Sequence, residues 1–211
     1  AIGMLTAFIR IEGKPMGLIA NNPAHLGGAI DAEGAGKVAR FIQLCDTFGI
    51  PMLSLCDTPG FMVGPEAEKT GLVRHTSRLF TAMAKKEVPL FTVILRKAYG
   101  LGSMAMAGGG MHESLFSVSW PTGEFGGMGL EGAVRLGFRI EEQSVKDPEQ
   151  REALIQQMVA MAYQHGKAIN TAAFLEIDEV IDPLETRKWI VNGLQSIGEI
   201  KPNRRGFVDT F

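Results

Sequence analysis

The strongest constraint on this chain is a unit that recurs along it. A short apolar segment runs into a turn built on glycine or proline, and a stretch of helical periodicity follows. Short apolar runs bounded by such turns read as buried strands, and an apolar stripe at helical spacing reads as the inner face of a helix. Residues 16–20 are expected to form a strand. Residues 34–48 are expected to form a helix with Val38, Phe41, Ile42 and Cys45 on one face. Residues 51–56 read as a buried strand, closed by Asp57-Thr58-Pro59-Gly60. A helix over 70–86 turns Leu72, Leu79, Phe80 and Met83 inward, and strands follow over 88–95 and 114–120. Between those strands, residues 102–108 open a helix. Asp147 is placed to cap a long helix over 147–166, with Pro148 at its first position. A short strand at 178–181 and a helix over 183–197, preceded by Asp182, complete the series. Residues 1–11 read as ordered and lead into a turn at 13–15.

Strands alternating with helices predict an α/β domain with mostly parallel pairing. At 211 residues the chain fits one domain, or one lobe of a larger protein, and part of a longer polypeptide is expected. The expected domain covers 1–198, and the polar, basic stretch 199–211 is expected to be a tail, docked or disordered. The net charge of −2 gives no general attraction to nucleic acid or anionic lipid, so neither is an expected partner. No apolar run approaches the ~20 residues needed to cross a membrane. No secretory leader is expected, because residues 1–10 lack a basic region followed by an apolar run. Cys45 and Cys56 are too few for a disulfide scaffold or a zinc site and read as small buried hydrophobes. The cytoplasm is the expected compartment, or the mitochondrial matrix in a eukaryote.

Three glycine-rich turns follow strands. The first is Asp57-Thr58-Pro59-Gly60-Phe61-Met62-Val63-Gly64. Glycine there permits a sharp turn and close approach to amide N–H groups, which can form part of an oxyanion hole. An ordinary strand-to-helix loop has the same pattern. The second is Arg96-Lys97-Ala98-Tyr99-Gly100-Leu101-Gly102-Ser103-Met104, running on through Ala105 to Gly110. A helix opening there presents unpaired N–H groups and its positive dipole end to an oxyanion or phosphate. Close helix packing with no ligand would use the same small residues. The third, Trp120-Pro121-Thr122-Gly123-Glu124-Phe125-Gly126-Gly127-Met128-Gly129, sets Met and aromatic residues beside glycines. It suits an apolar pocket or a tight surface loop.

Gly100-Leu101-Gly102-Ser103-Met104-Ala105 also matches a dinucleotide fingerprint. That motif needs an acid at the end of the next strand, and here the nearest one, Glu124, lies beyond Pro121. His25, His75, His112 and His165 show no metal spacing, and Glu141-Glu142 and Asp178-Glu179 read as solvated faces. With no nucleophile elbow and no phosphate-binding P-loop, the residues point to backbone electrostatics rather than covalent catalysis.

Taken in order, Gly17-Leu-Ile-Ala-Asn-Asn-Pro23, Ala39-Arg40-Phe41, Asp57-Thr-Pro-Gly-Phe61, Arg96-Lys-Ala-Tyr-Gly100, Trp120-Pro-Thr122 and Ile177-Asp-Glu-Val-Ile-Asp-Pro183 form a distinctive set. Together they resemble the carboxyltransferase β-subunit family of biotin-dependent acyl-CoA carboxylases. The resemblance implies a crotonase-type fold of repeated ββα units, and it places the chain on the C-terminal of two related halves. In that family the N-terminal half mainly binds acyl-CoA and the C-terminal half mainly receives carboxybiotin. The active site lies between halves of two subunits, so the chain alone is expected to be incomplete.

The family chemistry implied is release of CO2 from carboxybiotin, removal of the acyl-CoA α-proton by biotin, and attack of the enolate on CO2, with backbone N–H groups holding both oxyanions. The resemblance carries over Gly60, Phe61 and Gly64 as one backbone element, and Gly100, Leu101, Gly102 and Ser103 as a second. Phe61, Gly102, Met104, Gly127 and Met128 are the residues expected beside biotin. Expected partners are a biotin carboxyl carrier domain, a biotin carboxylase subunit or domain, and the N-terminal half of a second subunit in a dimer-based homo-oligomer.

Propionyl-CoA carboxylases usually read Gly-Gly-Ala-Tyr-Asp where this chain reads Gly100-Leu101-Gly102-Ser103-Met104. Met104 thus replaces an acid that shapes a short-acyl pocket. The variant resembles carboxylases of longer acyl chains, including single-chain enzymes. Two other readings stand beside the carboxyltransferase: a decarboxylase subunit that runs the transfer in reverse, and a non-catalytic dimerisation or carrier-docking module.

Overall fold

A computed structural model describes residues 1–139, 145, 147–203 and 206–209. Strands β1 (Met4–Ile11) and β2 (Lys14–Asn21) form an antiparallel hairpin with Ile11 opposite Lys14. Its two-residue turn holds Glu12 and Gly13 at φ 48° and 80°, the left-handed pair that matches the twist of paired strands. The turn therefore sits one residue earlier than the sequence suggests, and Lys14 and Pro15 belong to β2.

Helix α1 (Ala32–Phe48) is capped by Asp31, whose carboxylate accepts from Gly34 N–H at 2.7 Å, and ends at Gly49 with φ 67°. Strand β3 (Met52–Thr58) is buried along almost its whole length, as a central strand covered on both faces must be. The helix expected over 70–86 forms as α3 (Leu72–Lys85), and a short helix that was not expected, α2 (Pro65–Lys69), precedes it. Gly71, at φ 71°, breaks the helical path between them.

Strand β4 (Leu90–Tyr99) outruns its expected end because its last residues find a partner: Lys97–Tyr99 pair with β6 (Glu124–Gly126). Helix α4 (Gly100–Met106) starts directly at the end of β4, and β5 (Phe116–Ser119) follows. Helices α5 (Leu130–Gly137), α6 (Pro148–His165) and α7 (Ala168–Ala173) come next, then β7 (Glu179–Val180) and α8 (Thr186–Ser196). Strands β1 and β6 and helices α2, α5 and α7 were not expected as elements. Asp147 caps α6 as expected, accepting from Glu149 N–H at 3.1 Å. The helix expected over 183–197 opens instead with a 3₁₀ turn, Pro183–Glu185, capped by Asp182.

The sheet runs β1-β2-β3-β4-β5-β7, with β6 beside the end of β4, and every pairing after the first hairpin is parallel. This is the expected mostly parallel α/β arrangement. Helices α1 and α3 cover one face over Ile19, Val38, Ile42, Leu79, Met83 and Ile94. Helix α8 covers the other. There Gly193 lets the helix close onto Phe91, which packs on Phe116 (5.2 Å between ring centroids), and Phe116 packs on Trp189 (5.5 Å). Both cysteines are fully buried in the first core.

The described part of the tail is docked. Asn203 donates to Asp46 at 3.1 Å, and Asp209 exchanges hydrogen bonds with Gln43 at 2.8 and 2.9 Å and pairs with Arg78 at 3.2 Å. Asp178 is exposed but not idle: its carboxylate accepts from Ser117 N–H at 2.7 Å and ties the loop before β7 to β5. Glu141 and Glu142 lie outside the described residues. Among the described residues, no helix is long and apolar enough to cross a membrane.

Candidate active site

Strands β3 and β4 are parallel neighbours, so the turns that leave them lie at the same edge of the sheet. The turn after β3 bends at Gly60, φ 123°, and is pinned by Ile30, whose N–H donates to Gly60 O (3.0 Å) and whose carbonyl accepts from Met62 N–H (2.9 Å). The turn after β4 passes directly into α4. A Cβ on Gly102 would stand 2.7 Å from both Cα and C of Gly60 and 3.1 Å from the Phe61 nitrogen. Only a glycine in α4 lets the helix approach the first turn this closely.

The donors at this meeting point are not equivalent. Gly60 N–H already donates to the Thr58 hydroxyl at 3.1 Å, which in turn donates to Gly60 O. Among the described residues no acceptor faces the N–H of Phe61. At α4, the first helical turn leaves its N–H groups without intrahelical partners. The Ser103 hydroxyl is spent locally, donating to Gly100 O at 2.8 Å, and its side chain is buried. The arrangement is thus a cluster of backbone donors with no side-chain acid or base among them.

Gly100, φ 58°, sits where a Cβ would lie 2.8 Å from Gly127 O, so the third glycine-rich loop is packed against the second. Tyr99, just ahead of Gly100, donates to Glu124 at 2.8 Å and fastens the same two segments. Burial, and then this carboxylate, push the Tyr99 phenol well above its ordinary range.

Beside these turns lies a cleft of about 390 Å³, lined by Gly100, Ser103, Met104, Met111, Phe125, Gly127 and Phe174 among others. Its wall is largely apolar, with Met104 42% and Phe174 73% exposed. The cleft gathers Gly100, Ser103, Met104 and Gly127 of the expected residues, with Gly60, Phe61 and Gly102 packed immediately behind. Three others are placed differently. Gly64 lines a separate groove of about 690 Å³ with Met62 and Val63. Leu101 projects outward, 63% exposed, and Met128 turns toward Gly132 of α5. The Phe61 ring packs on Phe80 at 6.1 Å, inside the domain.

Leu101 is not among the residues with positive φ, so a side chain at this position leaves the backbone path unstrained. The sequence reading missed Phe174 and Met111, which reach the cleft from α7 and the loop after α4. It also missed Asp57, whose carboxylate accepts from Lys97 N–H at 3.2 Å and from Arg96 at 3.0 Å. Only a polar residue ending a buried strand hinted at Asp57. Among the described residues no three His, Cys, Asp or Glu side chains are grouped as a metal site would require.

The family model described as the carboxyl transferase domain matches residues 1–202. The methylmalonyl-CoA carboxyltransferase 12S subunit of Propionibacterium freudenreichii subsp. shermanii is 36% identical over 199 residues, covering 92% of this chain and 37% of that subunit. The methylmalonyl-CoA decarboxylase subunit alpha of Propionigenium modestum is 34% identical over 194 residues, again 92% of this chain and 37% of that subunit. A solved single-chain, multi-domain long-chain acyl-CoA carboxylase superposes with a TM-score of 0.82 at 55% identity, covering 90% of this chain and 18% of that one. The chain therefore spans little more than a third of the curated relatives it matches.

Proposed function

The chain belongs to the carboxyl transferase domain family, and from that premise we propose that it is the carboxybiotin-facing half of an acyl-CoA carboxyltransferase. Its fold is the crotonase-like α/β fold of the solved carboxyltransferases it resembles. The observation that carries the proposal is the close approach of Gly102 to the Gly60–Phe61 peptide, which gathers backbone donors from two turns.

Carboxybiotin, presented by a carrier domain, supplies the carboxyl group that is transferred. The residues present fit that role. The Phe61 N–H and the first-turn N–H groups of α4 form an oxyanion hole for a ureido or enolate oxygen. A fixed donor set of this kind stabilises charge as it develops, without reorganising. One such donor contributes on the order of 10²-fold or more in rate. Met104, Met111, Phe125 and Phe174 give the neighbouring cleft an apolar wall that keeps water from the reacting groups and accommodates a biotin ring or an acyl chain.

The acyl substrate we assign is a long-chain acyl-CoA, supported by Met104 in place of an acid and by the 55% identity to a long-chain enzyme. The missing contribution, acyl-CoA binding, comes from the N-terminal half of a second subunit in the assembly. The decarboxylase relative supports a second reading, in which the same donors serve transfer from acyl-CoA to biotin.

The test uses the full-length protein that carries this chain. Labelled carboxyl transfer from a carboxylated biotin carrier domain is measured across acyl-CoAs of increasing length. Transfer favouring long chains, shifted toward short ones by Met104→Asp, is the expected result. Absence of transfer in either direction would leave only a docking role. Identical kcat/KM ratios in wild type and Met104→Asp would remove the assignment of chain length.

A further inference from the structure

Resting on that reading, we propose that Asp57 is a positioning residue that sets the spacing between the two donor turns. Strands β3 and β4 pair in register up to Cys56 opposite Ile94, and the next pair is Thr58 opposite Ala98. Asp57 alone on β3 therefore faces Leu95, Arg96 and Lys97 on β4. A bulge of this kind leaves backbone groups off the ladder and bends the strand. Here the Asp57 carboxylate fills the gap. Its Oδ1 accepts from Lys97 N–H at 3.2 Å and its Oδ2 from Arg96 Nη2 at 3.0 Å. Lys97 Nζ lies 3.5 Å from Oδ1.

The backbone of Asp57 is held from the opposite side. Its N–H donates to the buried Asn21 Oδ1 at 3.1 Å, and Asn21 Nδ2 donates to Gly28 O at 3.3 Å. Gly28, φ 94°, comes so close that a Cβ there would collide with the Asp57 carbonyl. Gly60 follows Asp57 by three residues, and Gly100 follows Lys97 by three. Both turns thus leave their strands three residues beyond this contact, with the Thr58–Ala98 pair between.

The ion pair with Arg96 does not account for the arrangement, and the less exposed Lys97 ammonium, 21%, is also held by Gly27 O at 2.6 Å. The Arg96 side chain is 52% exposed, where an ion pair contributes little, while the Asp57 side chain is only 9% exposed. What Asp57 supplies is reach: an acceptor oxygen at the right distance to satisfy Lys97 N–H across the bulge.

Two substitutions in the full-length protein separate reach from charge. Asp57→Asn keeps the reach and an acceptor oxygen but loses the charge, and half-exposed Arg96 is free to turn to solvent. Asp57→Glu keeps the charge but adds a methylene that shifts one turn against the other. Positioning predicts a kcat close to wild type for Asn and a fall of about a hundredfold for Glu, with KM for acyl-CoA unchanged in both. Amide hydrogen exchange gives a readout that does not depend on turnover. Peptides spanning 58–64 and 97–104 should exchange faster than wild type in Asp57→Glu and like wild type in Asp57→Asn. Any pattern in which Asn loses as much as Glu, or in which neither changes, overturns the proposal. If the variants show this exchange pattern but wild type performs no carboxyl transfer in either direction, the functional reading falls and the positioning of the turns stands.

Discussion

Gly102 faces Gly60 with no room for a side chain between them: a Cβ on Gly102 would lie 2.7 Å from the Gly60 Cα, and the atoms it meets are backbone. Flexible side chains can yield to an added methyl; two turns anchored to neighbouring strands cannot. Gly102→Ala should therefore force the turns apart. We expect a loss of about 1–3 kcal/mol in urea unfolding, typical of overpacking. Carboxyl transfer by the full-length protein should drop by more than the stability loss explains. An alanine variant with wild-type stability and turnover would show that the close approach carries neither.

Gly100 and Leu101 are adjacent but should differ in what an exchange between glycine and a larger residue costs. Gly100 is at φ 58° with Gly127 O in the path of a Cβ. Gly100→Ala meets both the left-handed penalty of about 1–2 kcal/mol and a steric clash. Leu101 is at negative φ and largely exposed, so Leu101→Gly should cost no more than about 1 kcal/mol. Thermal unfolding of the two variants decides the order. A larger loss for Leu101→Gly would contradict it.

Cys45 and Cys56 should be chemically silent in the native protein. Burial, reinforced by the neighbouring Asp46 and Asp57 carboxylates respectively, pushes each thiol from 9.0 to about 12. Iodoacetamide at pH 8 should label neither until denaturant is added. The sign of the pH effect follows. A raised native pKa means that the folded state holds the proton more tightly, so this stability is fully present below pH 9 and is lost as pH rises toward 12. Replacing both cysteines with alanine should flatten that part of the stability curve. An unchanged slope would refute the linkage.

The Asp147 cap is the plainest case of local sequence acting alone. Asp147→Ala removes the acceptor for Glu149 N–H and should lower stability by about 1 kcal/mol, while Asp147→Asn should be close to neutral. Chemical denaturation midpoints measure both. Equal losses for the two variants would assign the effect to charge instead of capping.

Much of the scaffold could be read from the chain because local physics dictates it. Strand β3 reads as buried from Met52, Leu53, Leu55 and Cys56, because both its faces are covered. Helix α1 shows its inner face at helical spacing, and α6 carries Asp-Pro at its start. Strand β6 was not legible: three residues in a glycine-rich loop become a strand only because Lys97–Tyr99 are there to pair with them. Helix α2 was not legible either: its five residues bury none of their side chains, so no apolar stripe marks it.

Of the site, the glycines at 60, 100 and 102 and the ordered motifs around them were determined by the sequence, since close backbone approach and positive φ leave glycine as the residue that fits. Which donors remain unpartnered was decided by tertiary structure. The Thr58 hydroxyl takes Gly60 N–H, Phe61 N–H is left facing α4, and Gly64 turns into a different groove. The bond between Asp57 and Lys97 belongs to the same class, joining residues 40 positions apart across a bulge. Periodicity and turn chemistry report on neighbours along the chain. A bulge and the carboxylate that fills it exist only once two distant strands have come into register.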